Sequence, residues 1–267
     1  MTGINRIRVA AIILGCAMAT APSVPAQGTR LAVDPLTDGI ALGSGLVFAA
    51  ASEFLLPLLP PITTLAPADL SQVNGLDRSL MAPYSAGLDI SSSILQYTAA
   101  ALPLALAFFV PREDLIPMGV VYLESLSFAV VAKNVLKYFL PRWRPYVYLG
   151  GAAGVPAAED DQGFPSGHAT VAFAAAGAGV SLFADSFPDS PWFWPFTAGC
   201  YSLAILTASF RVASGMHFLT DVLAGAALGS LCGYLIPFLH EKGSSRRDGT
   251  ALSFDFGPAG MLVSYWY

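Results

Sequence analysis

The sequence predicts an all-α integral membrane bundle of about six transmembrane helices. Of its 267 residues, 55% are hydrophobic and only 12% are charged. The mean hydropathy is +0.60, outside the range of ordinary soluble domains. Apolar runs recur at 39–60, 91–110, 114–140, 167–184, 191–210 and 217–238, and most reach the roughly 20 residues needed to cross the hydrocarbon. They are rich in Ala, Leu, Val and Gly, and a backbone in lipid must satisfy its own hydrogen bonds, which selects helices over open strands.

Taken in order, residues 1–26 form a signal-like segment: Arg6 and Arg8, the apolar run Val9 to Ala19, then Val24-Pro25-Ala26 as a small-residue cleavage site. Ile13-Leu14-Gly15-Cys16 offers a competing lipoprotein signal. Residues 27–240 hold the transmembrane domain. Within it, 61–90 is a polar connection whose Gly75-Leu76-Asp77-Arg78 segment reads as a surface helix. Pro111 to Asp114 is a tight turn that makes a hairpin of the second and third spans. Residues 141–165, with Pro141, Pro145, Pro156 and the acidic trio Glu159, Asp160 and Asp161, form an aqueous loop. Residues 241–267 are a polar tail with Lys242, Arg246 and Arg247, ending in a short β-hairpin over 252–267. The net charge of −5 is spread over loops and tail, which argues against a nucleic-acid partner. Cys16, Cys200 and Cys232 lack metal-ligand spacing and imply neither a zinc site nor a disulfide framework.

The chemistry concentrates in three places. His217 and Asp221 are four apart at the start of the sixth span, so the carboxylate is expected to accept a hydrogen bond from one imidazole nitrogen and leave the other free. The bland alternative is an Asp compensating a helix dipole beside an interfacial His. Ser166-Gly167-His168 follows Pro165 at the start of the fourth span. There unpaired N–H groups, a hydroxyl and a missing side chain suit an anion as well as they suit a plain cap. Lys137, Arg144 and Arg211 stand at span ends on one side of the membrane, and arginine's planar fork fits phosphate oxygens. Lys133, Arg142 and Arg247 read instead as anchors at the membrane interface. Glu53 and Glu124 lie inside spans; a polar partner or wet cavity is expected for both, and a helix-to-helix hydrogen bond for Glu124. Three cations, two histidines, an aspartate and a helix end together suit phosphoryl transfer, which positioned donors stabilise.

Lys137, six residues, Arg144-Pro145; Pro165-Ser166-Gly167-His168; Arg211, five residues, His217, three residues, Asp221: this three-part pattern resembles the type 2 phosphatidic acid phosphatase family over residues 39–240. The resemblance implies that His217 is the nucleophile forming a phosphohistidine, that Asp221 orients it and that His168 protonates the leaving oxygen. Lys137, Arg144, Ser166, Gly167 and Arg211 then hold the phosphate, with no metal and no cofactor. One position departs from the family: Phe210 stands where a serine precedes the arginine. Losing that donor costs about 1–3 kcal/mol and predicts slower turnover or an altered headgroup fit.

The implied substrate is a membrane lipid phosphate or pyrophosphate. Rival readings are a lipid phosphotransferase using the same residues, a vanadate-holding haloperoxidase, and a non-catalytic headgroup receptor or transporter. Composition says nothing about oligomeric state. The motif loops fall on one side of the membrane and the basic tail on the other, which predicts a bacterial inner-membrane protein with a periplasm-facing site. Six spans then put the N-terminus in the cytoplasm, whereas a cleaved export signal would put it outside. Either the signal is not cleaved, or 39–60 does not cross, or the site faces inward.

Overall fold

The protein is described from a computed structural model covering residues 26, 28–59, 65–241, 251–257 and 260–266; the signal-like segment, Arg246 and Arg247 lie outside the described residues. Among the described residues seven α-helices follow in order: α1 Thr37–Phe54, α2 Gly75–Ser79, α3 Ala86–Ala101, α4 Leu115–Phe139, α5 Gly167–Ser186, α6 Phe193–Ala213 and α7 Leu219–His240. Strands β1 Ala251–Gly257 and β2 Gly260–Trp266 pair antiparallel, with Ala251 opposite Trp266 and Gly257 opposite Gly260.

Five helical stretches among the described residues are long and apolar enough to cross a membrane: Ala86–Phe108, Arg112–Phe139, Gly167–Ser186, Phe193–Ala213 and Leu219–His240. The first expected run, 39–60, is not among these five and is helical only to Phe54; a proline-containing 3₁₀ turn, Leu56–Leu58, follows it. The 18 residues of α1 are still about 27 Å long at 1.5 Å per residue. Its two ends fix its course. Asp38 lies 3.5 Å from His240 at the end of α7, and Glu53 lies 2.9 Å from Lys133 near the end of α4. The helix therefore runs the length of the bundle.

Large apolar side chains point outward, as at Phe108, Ile116, Trp194 and Leu239, while the centre is made of small ones such as Ala172, Ala175, Ala176 and Ala178. Hydrocarbon surroundings remove the drive to bury large side chains, and small residues let helix backbones approach. The closest approach is between α5 and α7. A methyl group added at Gly225, Gly229 or Gly233 would meet the carbonyl oxygens of Ser166, Thr170 or Ala174 at 2.6, 2.1 and 2.5 Å. One glycine face on α7 thus lies directly on the α5 backbone, in register from Ser166 upward.

Candidate active site

That contact brings the starts of α5 and α7 together, and the Ser166 N–H donates to the Asp221 carbonyl at 3.0 Å. Gly215, in the left-handed region with φ +72°, turns the chain out of α6; a Cβ there would sit 2.4 Å from the Ala82 carbonyl oxygen. The Gly215 carbonyl accepts from the Tyr146 N–H at 3.2 Å, which joins this turn to the loop 141–165. The loop itself doubles back, with Arg142 N–H on the Asp161 carbonyl and Arg144 N–H on the Asp160 carbonyl at 2.7 and 2.8 Å. All three motif segments therefore meet at one end of the bundle.

They line a cavity of about 820 Å³ bordered by Lys137, Arg144, Gly167, His168, Arg211 and His217. Ser166 and Asp221 are buried immediately behind it. Lys137 Nζ donates to the Gln162 carbonyl at 2.8 Å. Ser166, Arg144 and Arg211 are 0%, 4% and 2% exposed, and the Ser166 hydroxyl and both arginine Nε atoms have no hydrogen-bond partner among the described residues. Buried donors are costly to leave unmade. An anion with several oxygens is the ligand that would satisfy them.

His217 is 2% exposed, and its Nδ1 lies 2.7 Å from the Gly163 carbonyl. A carbonyl only accepts, so Nδ1 carries the proton and Nε2 keeps its lone pair. Burial, with the charges of Arg211, Arg144 and Lys137, holds this imidazole well below the ordinary histidine value, and the Gly163 contact opposes that only in part. His168 Nε2 lies 3.0 Å from the Ser93 hydroxyl of α3.

The expected hydrogen bond from His217 to Asp221 is not formed: the nearest atoms, Nδ1 and Oδ2, are 3.8 Å apart. The imidazole Nδ1–H donates to the Gly163 carbonyl instead. Asp221 accepts from the Phe218 N–H at 2.8 Å and from Arg142 at 2.5 Å. Arg142 is accordingly no anchor at the interface. It also contacts Thr220 at 2.7 Å and Asp77 at 2.7 Å, with its guanidinium 4.4 Å from the centre of the Phe218 ring. Asp77, expected on a surface helix, is 1% exposed; burial would raise its pKa, but hydrogen bonds from Thr220, Arg142 and Asn74 hold it below the usual carboxylate value. Lys133 is buried as well, on Glu53 and Asn134 at 2.9 and 2.6 Å, with its Cδ 3.1 Å from where a Cβ on Gly167 would stand.

Two carboxylates at the cavity were not singled out from sequence. Asp89 pairs with Arg211, and Glu159 pairs with Arg144 at 3.1 Å. Asp89 and Ser93, one turn apart on α3, were a readable signal; Glu159 drew notice only as part of a hydrophilic loop. Neither Ser209 nor Ser214 supplies the hydroxyl missing at Phe210, because Ser209 bonds the Ile205 carbonyl at 2.8 Å and Ser214 the Arg211 carbonyl at 3.1 Å.

The fold and site define an all-α membrane bundle with a cationic, two-histidine cleft at one end. Residues 119–243 match the PAP2 superfamily. It is 28% identical over 130 residues to an undecaprenyl-diphosphatase of Sulfolobus acidocaldarius, covering 49% of this chain and 59% of that protein. It is 26% identical over 169 residues to a lipid A 4'-phosphatase of Porphyromonas gingivalis, covering 57% and 64%. The chain thus spans less than two thirds of the length of these relatives. A transmembrane PAP2-type phosphatidylglycerolphosphate phosphatase from Bacillus subtilis aligns with 79% of this chain and 98% of its own, at 20% identity and a TM-score of 0.49.

Proposed function

We propose that the protein is a metal-independent phosphatase that hydrolyses a lipid phosphate or lipid pyrophosphate at the membrane surface through a phosphohistidine. The observation that carries this reading is the set of buried, unpartnered donors on Ser166, Arg144 and Arg211 beside a histidine whose Nε2 keeps a lone pair. A receptor would use the donors but would not need the lone pair.

In the proposed reaction the phosphoryl oxygens take the donors of Lys137, Arg144, Arg211, Ser166 and the Gly167 amide. His217 Nε2 forms a bond to phosphorus as the bond to the lipid oxygen breaks, and His168 gives its proton to that oxygen. Water then attacks the phosphohistidine while His168 takes its proton, releasing inorganic phosphate and restoring both rings. Three fixed cations neutralise the charge that spreads over the equatorial oxygens. Asp221 acts at one remove: held by Arg142, it sets the first turn of α7 and keeps negative charge near His217.

The lipid assignment is supported by apolar side chains on the cavity wall, among them Phe54, Tyr97, Val130 and Val171, and by the activities named for the two relatives. We place the site on the periplasmic face of a bacterial inner membrane, because the basic tail Lys242, Arg246 and Arg247 favours the cytoplasm. The test is phosphate release from a panel of lipid phosphates and undecaprenyl pyrophosphate by detergent-solubilised protein in EDTA. The wild type is expected to release phosphate, and His217→Ala to lose at least a thousandfold. Release that requires a divalent ion, or that survives His217→Ala, would sink the mechanism.

A further inference from the structure

At the opposite end of the bundle, three helices bring together Asp38 of α1, Glu124 of α4 and His240 of α7, with one ligand-type atom from each lying within 4.8 Å of the others. His240 Nδ1 lies 2.8 Å from the Ile236 carbonyl, so it carries the proton and a neutral ring turns its Nε2 lone pair toward the two acids. Glu124 Oε2 is 3.2 Å from that nitrogen and Asp38 Oδ1 is 3.5 Å from it. Asp38 Oδ2 is already engaged, accepting from the Asp34 N–H at 2.5 Å. Glu124 is 1% exposed, and the second oxygen of its carboxylate, Oε1, is buried without any partner.

We propose that Asp38, Glu124 and His240 form a binding site for a divalent first-row metal ion of the zinc class. Three acceptors converge where, among the described residues, no neighbouring side chain is seen to supply a donor, and a buried carboxylate oxygen stays unsatisfied, so the cluster calls for a cation. The donor set of one imidazole and two carboxylates suits zinc or manganese. Ligands about 2.1 Å from a tetrahedral ion lie about 3.4 Å from one another, which the 3.2 and 3.5 Å separations bracket. The outer contacts also match: the imidazole donates its other N–H to a backbone carbonyl, the usual way a ligating histidine is held. Glu124 is thirteen residues before Lys137, about 20 Å along α4. The ion would therefore not touch the phosphate and would act as a clasp fastening α1 to α4 and α7.

The test uses the full chain in detergent, stripped with EDTA, desalted and titrated with Co²⁺ while its visible absorption is followed. One Co²⁺ per chain is expected, displaced by Zn²⁺, with affinity lowered at least tenfold in Asp38→Asn and Glu124→Gln and unchanged in His217→Ala. The wild type's Tm should rise with Zn²⁺ and fall back with EDTA, a readout that stands even if the variants fail to fold. No stoichiometric binding and no Zn²⁺-dependent Tm would overturn the proposal and leave a proton shared between His240 and Glu124. Binding that is lost in His217→Ala, or retained undiminished in Glu124→Gln, would overturn it equally by placing the ion elsewhere.

Discussion

At the residue scale, the proposed mechanism depends on keeping one buried imidazole neutral. His217 is held well below the ordinary histidine value by burial and by Arg211, Arg144 and Lys137. The unfolded chain takes up a proton near pH 6.5 where the folded chain does not, so stability is unaffected above that pH and is lost as the pH falls through it, at up to about 1.4 kcal/mol per unit. Thermal unfolding between pH 7 and 5 should show this slope in the wild type and a shallower one in His217→Gln. Glu159 acts on the neighbouring charge. Its carboxylate sits on Arg144 at 3.1 Å but is half exposed, so it competes with an incoming phosphate only weakly. Glu159→Gln is expected to lower KM about two- to fivefold, the scale of an exposed ion pair; a rise in KM in steady-state assays would mean that Glu159 helps to hold the headgroup.

At the element scale, the pairing of α5 with α7 sets the distance between the two histidine-bearing helix starts. Ala, Gly and Thr on α5 face Gly225, Gly229 and Gly233, and the added Cβ at Gly229 would press on backbone, which cannot swing aside as a side chain would. Gly229→Ala should cost about 1–3 kcal/mol and reduce kcat even in protein that remains folded, because the shift is transmitted to Asp221 and Ser166. Unfolding midpoints and turnover measured on the same preparation check both halves. Helix α1 settles an ambiguity of the sequence. Contacts at both its ends show that it traverses the bundle from His240 to Lys133.

At the scale of the whole molecule, this course of α1 puts residues 31–32 beside the end of α7, where Ala32 N–H donates to the His240 carbonyl at 2.7 Å and Leu31 pairs with Glu241. The chain entering α1 and the chain leaving α7 therefore share one face, and the cavity lies at the other. In a background lacking Cys16, Cys200 and Cys232, a cysteine at Ala153 should react with an impermeant maleimide in intact cells, and one at Glu113 only after lysis. The reverse pattern would turn the site toward the cytoplasm.

The sequence by itself determined the membrane-helical class and singled out the eight candidate site residues. Both are local properties: apolarity over some 20 residues, and charged groups at fixed intervals around span ends. All eight named site residues converge on one cavity or the shell directly behind it. What each of them touches was decided only by the tertiary structure. His217 is oriented by a carbonyl 54 residues away, Asp221 is held by Arg142 at a separation of 79, and Arg211 meets Asp89 across 122. Periodicity carries no information about partners that distant. Arg142 and Lys133 resembled ordinary interfacial anchors for the same reason: a long cationic side chain at a helix end can reach lipid headgroups or fold inward, and only the packing around it decides which.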